Sequence, residues 1–98
     1  MVDARQTRKL AAILAADVAG YSRLMAADEA ATVAALNAAR GIFREQIASR
    51  GGRVVDTAGD SVLATFPSVV EAVRCAVAVQ DMLTATNESL PEERRMRF

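Results

Sequence analysis

The sequence contains no histidine and no tryptophan, a single cysteine, two prolines, one tyrosine and three phenylalanines. Without histidine the chain loses most zinc chemistry and the usual general base. The lone Cys75 excludes an internal disulfide, and its place in an apolar helical pattern reads as a small buried side chain. Any metal here must be a hard cation held by oxygen. Net charge is also missing, because twelve basic and twelve acidic residues cancel. That balance argues against a general nucleic-acid binder, which shows a basic face. The clusters Arg5–Arg8–Lys9 and Arg94–Arg95–Arg97 read as solvated ends. No apolar run approaches the length of a transmembrane helix, so no membrane contact is expected. The start mimics a signal peptide, but its apolar run, Leu10 to Ala16, is short, mostly alanine and closed by Asp17. A cytoplasmic location is the default expectation.

What remains is an apolar stock of 52%, weighted to alanine and valine, in 98 residues. This is enough for one small domain with a core built of small parts. Residues 1 to 8 are polar and expected to fray. Lys9 to Val18 reads as a strand covered on both faces, since its apolar residues do not alternate with polar ones. Asp28 to Arg50 reads as a long helix with Val33, Leu36, Phe43 and Ile47 at helical spacing, stopped by Gly51–Gly52. Arg53 to Thr57 and Ser61 to Phe66 read as a hairpin joined by Ala58–Gly59–Asp60. Ser68 and Glu71 stand as a capping box at the head of a second long helix. That helix is expected to bury Val69, Val73, Ala76, Val77 and Leu83. Thr86 to Arg95 reads as a polar loop, and the closing "MRF" as the start of a fourth strand. Strand, helix, hairpin, helix, strand is an α+β order, with helices on one face of an antiparallel-type sheet, as in ferredoxin-like folds. The sheet is expected to stop short of its fourth strand.

Two carboxylates stand at turns: Asp17 closing the first strand and Asp60 at the hairpin bend. Far apart in sequence, they meet only if the sheet lays the first strand beside the hairpin. Like charges brought together call for a shared proton or cation, and carboxylates combined with substrate phosphates are the habit of magnesium. Two such ions would clamp the attacking and leaving oxygens of a phosphoryl displacement. After Asp17, Gly20 permits close backbone approach, and Ser22 is placed to cap a short helical turn toward Met25, whose amides would attract phosphate. The spacing alone favours two ordinary turn carboxylates, with Ser22 as a plain helix cap and Tyr21 as a core aromatic.

The stretches "AADVAGYSRLM" and "GGRVVDTAGDSVLATFPSVVEAVRCAVAVQ" together resemble the catalytic domain of class III adenylate/guanylate cyclases of the bacterial branch, from about Lys9 to Phe98. The resemblance implies that Asp17 and Asp60 bind two Mg2+ or Mn2+ ions, with the backbone carbonyl of Val18 as a further ligand. It implies that Gly20, Tyr21 and Ser22 hold the triphosphate of ATP or GTP. Asp56 occupies the family's base-selecting position, where the adenine-selecting members carry lysine. A carboxylate there pairs with the N1–H and amino group of guanine, and the base stays open between adenine and guanine. The implied reaction is attack of the ribose 3′-oxygen on the α-phosphorus, with pyrophosphate leaving. The family's transition-state asparagine and arginine lie beyond the fourth strand. The resemblance therefore implies an amino-terminal portion of a cyclase domain, inactive alone and working as a homodimer in the longer enzyme. A non-catalytic cyclase-like interaction module is the alternative. A diguanylate cyclase is disfavoured, because the hairpin bend reads "AGDSV" without that group's double acid.

Overall fold

In the computed structural model, which describes residues 10–98, three strands and three helices follow one another. Strand β1 is Ala12–Asp17, followed by helices α1, Tyr21–Ala27, and α2, Glu29–Ser49. Strands β2, Arg53–Asp56, and β3, Ser61–Phe66, form the hairpin, and α3 is Val69–Glu88. The sheet is antiparallel in the order β1-β3-β2, so the hairpin's second strand lies at its centre. Residues 1 to 8, expected to fray, and Lys9, expected to open the first strand, lie outside the described residues.

β1 does not have two covered faces. Its residues alternate half-buried and exposed, and Ile13 is 69% exposed. Ala12, Leu14 and Ala16 pack on the core; Ile13, Ala15 and Asp17 are on the other face. An unbroken apolar run reads as doubly covered, but the outer face of β1 carries only Ile13 and Ala15 before Asp17, and single exposed apolar side chains are ordinary on a protein surface.

The main core joins Ala39, Phe43 and Ile47 of α2 with Val62, Ala64 and Phe66 of β3, and with Ala72, Cys75, Val79 and Leu83 of α3. Cys75 is fully buried, and burial pushes its thiol pKa up. A smaller cluster of Val18, Leu24, Leu36 and Met96 lies beneath α1.

The helix ends follow from local chemistry. Asp28 caps α2, its Oδ1 accepting from the Ala31 amide at 3.0 Å. Thr32 is buried because its hydroxyl donates to the carbonyls of Leu24, at 2.9 Å, and Asp28, at 2.7 Å, tying α1 to α2. Of the residues read at helical spacing, Leu36, Phe43 and Ile47 are buried and Val33 is exposed. At α3, Ser68 Oγ accepts from the Glu71 amide at 3.2 Å, which is half of the expected capping box. The Glu71 carboxylate turns to Arg74 at 3.0 Å and Arg50 at 3.8 Å.

The expected stripe on α3 is corrected. Of its five residues only Leu83 is buried; Val69, Val73 and Val77 are exposed, and Ala76 is half-buried. Both faces of this helix are apolar, and small Ala72 and Cys75 allow the closer approach to the sheet. The helix also runs to Glu88, into the segment read as loop, with a single 3₁₀ turn at Glu92–Arg94 beyond it.

No strand forms at the closing "MRF" among the described residues. The alternation read there is nonetheless present: Met96 is buried and Arg97 exposed, and the Phe98 ring meets Phe43 edge-on at 5.1 Å. Arg97 and Arg95 both bond the Glu92 carboxylate and hold its pKa below the ordinary value.

A candidate divalent-cation and phosphate corner

The register of the sheet decides whether the two acids meet. Asp17 is paired directly with Ser61, the last pair of the β1–β3 ladder. Asp60 immediately precedes Ser61 in the bend. Folding therefore carries both acids to the same end of the sheet, Asp17 closing β1 and Asp60 in the bend that opens β3. Asp17 is exposed and Asp60 half-buried. Among the described residues the ion pairs join Arg50, Arg74, Arg94, Arg95 and Arg97 to Glu71, Asp28 and Glu92, leaving Asp17 and Asp60 with no basic partner. Two carboxylates brought to one end of the sheet supply hard oxygen donors of the kind that Mg2+ or Mn2+ takes. No group of three or more acidic or cysteine side chains able to hold a metal forms among the described residues, so further ligands would have to come from backbone, water or substrate.

The turn after β1 is built differently from expectation. The Val18 side chain is buried in the smaller cluster. The Ala19 amide donates to the Arg97 carbonyl at 2.7 Å, which seats the closing residues beside the end of β1. Gly20 then takes φ +68°, a left-handed conformation that favours glycine, and serves as the N-cap of α1. Ser22 does not cap this helix. The Leu24 amide bonds the Gly20 carbonyl at 3.1 Å, so the helix has begun before Ser22, which is exposed in its first turn. No side chain caps α1. Tyr21 is half-buried against the smaller core cluster. The Arg23 guanidinium lies over Gly20, where an added Cβ would meet its Nη2 at 3.2 Å.

Asp56 lies across β3 from β1, opposite Leu63, after a bulge that leaves Val55 unpaired. Its Oδ1 accepts from the Ala58 amide at 3.0 Å, so this carboxylate shapes the bend. Arg53 pairs with Thr65, at the far end of the hairpin from Asp60.

One residue of this corner was not signalled by any motif. Arg40 of α2 donates from Nη2 to the Thr57 carbonyl at 2.7 Å and to the Gly59 carbonyl. The contact spans seventeen or more residues, and in the sequence Arg40 is one basic residue on an alanine-rich helix. A groove of about 360 Å³ lies elsewhere: it is lined by Leu24, Thr32, Leu90 and Met96, with the Asp28–Arg94 pair at 3.6 Å among its walls.

Comparison with known proteins identifies the family. The chain is 48% identical over 88 residues to "Putative adenylate cyclase 3" of Rhizobium meliloti (strain 1021), covering 89% of this chain and 15% of that protein. It superposes on the crystal structure of an adenylate/guanylate cyclase/hydrolase from Silicibacter pomeroyi with a TM-score of 0.76 and 35% identity, over 89% of this chain and 51% of that one. The chain is a class III adenylate/guanylate cyclase domain segment. A bacterial light-regulated adenylyl cyclase shares its fold at 20% identity, with a TM-score of 0.74 over 92% of this chain and 28% of that one. No protein-family model matches the cyclase segment. It spans about half the length of the solved cyclase and under a sixth of the curated relative. No helix of the described residues is long and apolar enough to cross a membrane.

Proposed function

We propose that this segment supplies the metal-binding half of a purine nucleotide cyclase, which converts ATP or GTP to the 3′,5′-cyclic nucleotide and pyrophosphate. The observation that carries the reading is the register pairing Asp17 with Ser61, which brings Asp17 and Asp60 to one end of the sheet, where neither has an ion-pair partner among the described residues. Asp17 and Asp60 hold two Mg2+ or Mn2+ ions, with the Val18 carbonyl as a further ligand. When bound, these ions lower the pKa of the attacking 3′-hydroxyl and offset charge on the phosphates. The Gly20–Tyr21–Ser22 turn lies against the triphosphate, where Gly20 keeps the backbone free of a Cβ and the uncapped first turn of α1 leaves amides for phosphate oxygens. Asp56 keeps one carboxylate oxygen beyond its turn bond and uses it to read the base. The segment works in a homodimer, together with the remainder of the cyclase domain. By itself the 98-residue chain turns over no nucleotide.

The test is manganese-dependent formation of cyclic nucleotide from ATP and from GTP, measured on the protein carrying this segment within a complete cyclase domain. Asp17→Ala and Asp60→Ala are each expected to lower turnover by at least about a hundredfold, the usual scale for losing a group that stabilises developing charge. Wild-type turnover in either variant, or robust turnover by the 98-residue chain, overturns the reading.

A non-catalytic interaction module is the second reading. It is favoured by the second edge of β1, unpaired among the described residues, and by the exposed row Val69, Val73 and Val77. Loss of turnover in Asp17→Ala with the dimer intact supports chemistry. A dimer lost in a protein with no turnover to lose supports the module.

A further inference from the structure

We propose that Arg40 is a positioning residue for Asp60: its guanidinium fixes the hairpin bend and so sets where that carboxylate meets a divalent cation. The inference rests on the metal-binding reading of Asp17 and Asp60.

The bend is permissive by composition, with Ala58 and Gly59 at its tip and Gly59 at φ +59°. Its internal bonds are local. The Ala58 carbonyl accepts from the Ser61 amide at 3.1 Å and from the Ser61 hydroxyl at 2.8 Å, and the Ala58 amide goes to Asp56. Among the described residues, only Arg40 hydrogen-bonds the bend from another element, and it takes the carbonyls of Thr57 and Gly59, the second of which directly precedes Asp60. Its mount is rigid, because neighbouring Ala39 and Phe43 of α2 are buried in the main core.

Two further features separate this arginine from a surface side chain that happens to reach a carbonyl. Its Nε is buried with no hydrogen-bond partner, a cost that a side chain directed to solvent avoids. Its bonds also go to neutral carbonyls, and no ion pair joins it to Asp60 among the described residues. Arg40 thus restrains the backbone at Asp60 through its carbonyls and not through an ion pair with the carboxylate.

The experiment compares wild type, Arg40→Met, Arg40→Lys and Asp60→Asn in two readouts. The first is amide hydrogen exchange and 15N relaxation at Ala58 to Ser61 without metal; the second is Mn2+ affinity by electron paramagnetic resonance. In Arg40→Met the bend amides are expected to loosen while those of Phe43 and Val62 keep their protection. Mn2+ affinity should fall about tenfold, the scale seen when supports behind a metal ligand are removed. Arg40→Lys keeps the charge and restores part of both effects. Asp60→Asn loses Mn2+ with the bend still ordered. An unchanged bend in Arg40→Met, or a loosened bend with unchanged Mn2+ affinity, overturns the proposal. Wild-type protein that binds no Mn2+ overturns the metal reading and, with it, the role assigned to Arg40 toward a cation; the bend amides then report separately whether the clamp exists.

Discussion

Gly52 is a position where one methyl group decides packing. A Cβ there would stand 2.5 Å from Cε2 of the Phe66 ring, which is itself 1% exposed and has no free space to enter. Gly52→Ala is therefore expected to destabilise the fold by about 1–3 kcal/mol, the usual cost of overpacking. Urea denaturation should show a lower midpoint with an unchanged slope, and a midpoint at the wild-type value would contradict the packing described. The pair Gly51–Gly52 reads correctly in the sequence as a helix stop, and Gly51 does take the left-handed conformation at φ +74°. The second glycine's role was illegible, because it depends on a ring fourteen residues further on. The same holds for Arg40, whose partners lie on another element. Residues whose meaning is local were legible: Cys75 as a buried thiol in an apolar pattern, and Asp28 at the edge of its helix, which proves to be the cap.

At the scale of elements, the long helices and the hairpin were readable from spacing and turn residues, and β3 runs over the expected Ser61 to Phe66. The facing of α3 was not. Its valines and its small residues both recur at helical spacing, and hydropathy cannot choose between two apolar stripes; fit against the sheet does. The head of this helix offers a direct test of how it is capped. Ser68→Ala removes the oxygen that accepts from the Glu71 amide and should cost about 1 kcal/mol. Glu71→Ala removes partly exposed ion pairs only, and should cost less, within about 0.2–1 kcal/mol. Thermal melts of the two variants compare them; equal losses would mean that the carboxylate caps as well. Ser22 shows the reverse case. A hydroxyl after a glycine suggested a cap, but the glycine itself starts the helix and the serine falls inside it.

For the whole molecule, the decisive feature is a topology in which β3 lies between β1 and β2. Local pattern placed an acid at the end of one strand and another in a bend, while only the long-range pairing of Asp17 with Ser61 brings them together. That pairing was inferable from the resemblance to class III cyclases and not from spacing. The covering of β1 was misjudged for a related reason, since sequence gives no count of the layers stacked on a sheet. The central claim is that a divalent cation joins the two acids, and Mn2+ titration of 15N-labelled protein tests it most directly. Paramagnetic broadening should appear together at the amides of Asp17 and Val18 and at those of Gly59 to Ser61, and should vanish at both places in Asp17→Asn or Asp60→Asn. Broadening at one segment without the other, or unaltered by either substitution, would contradict the account.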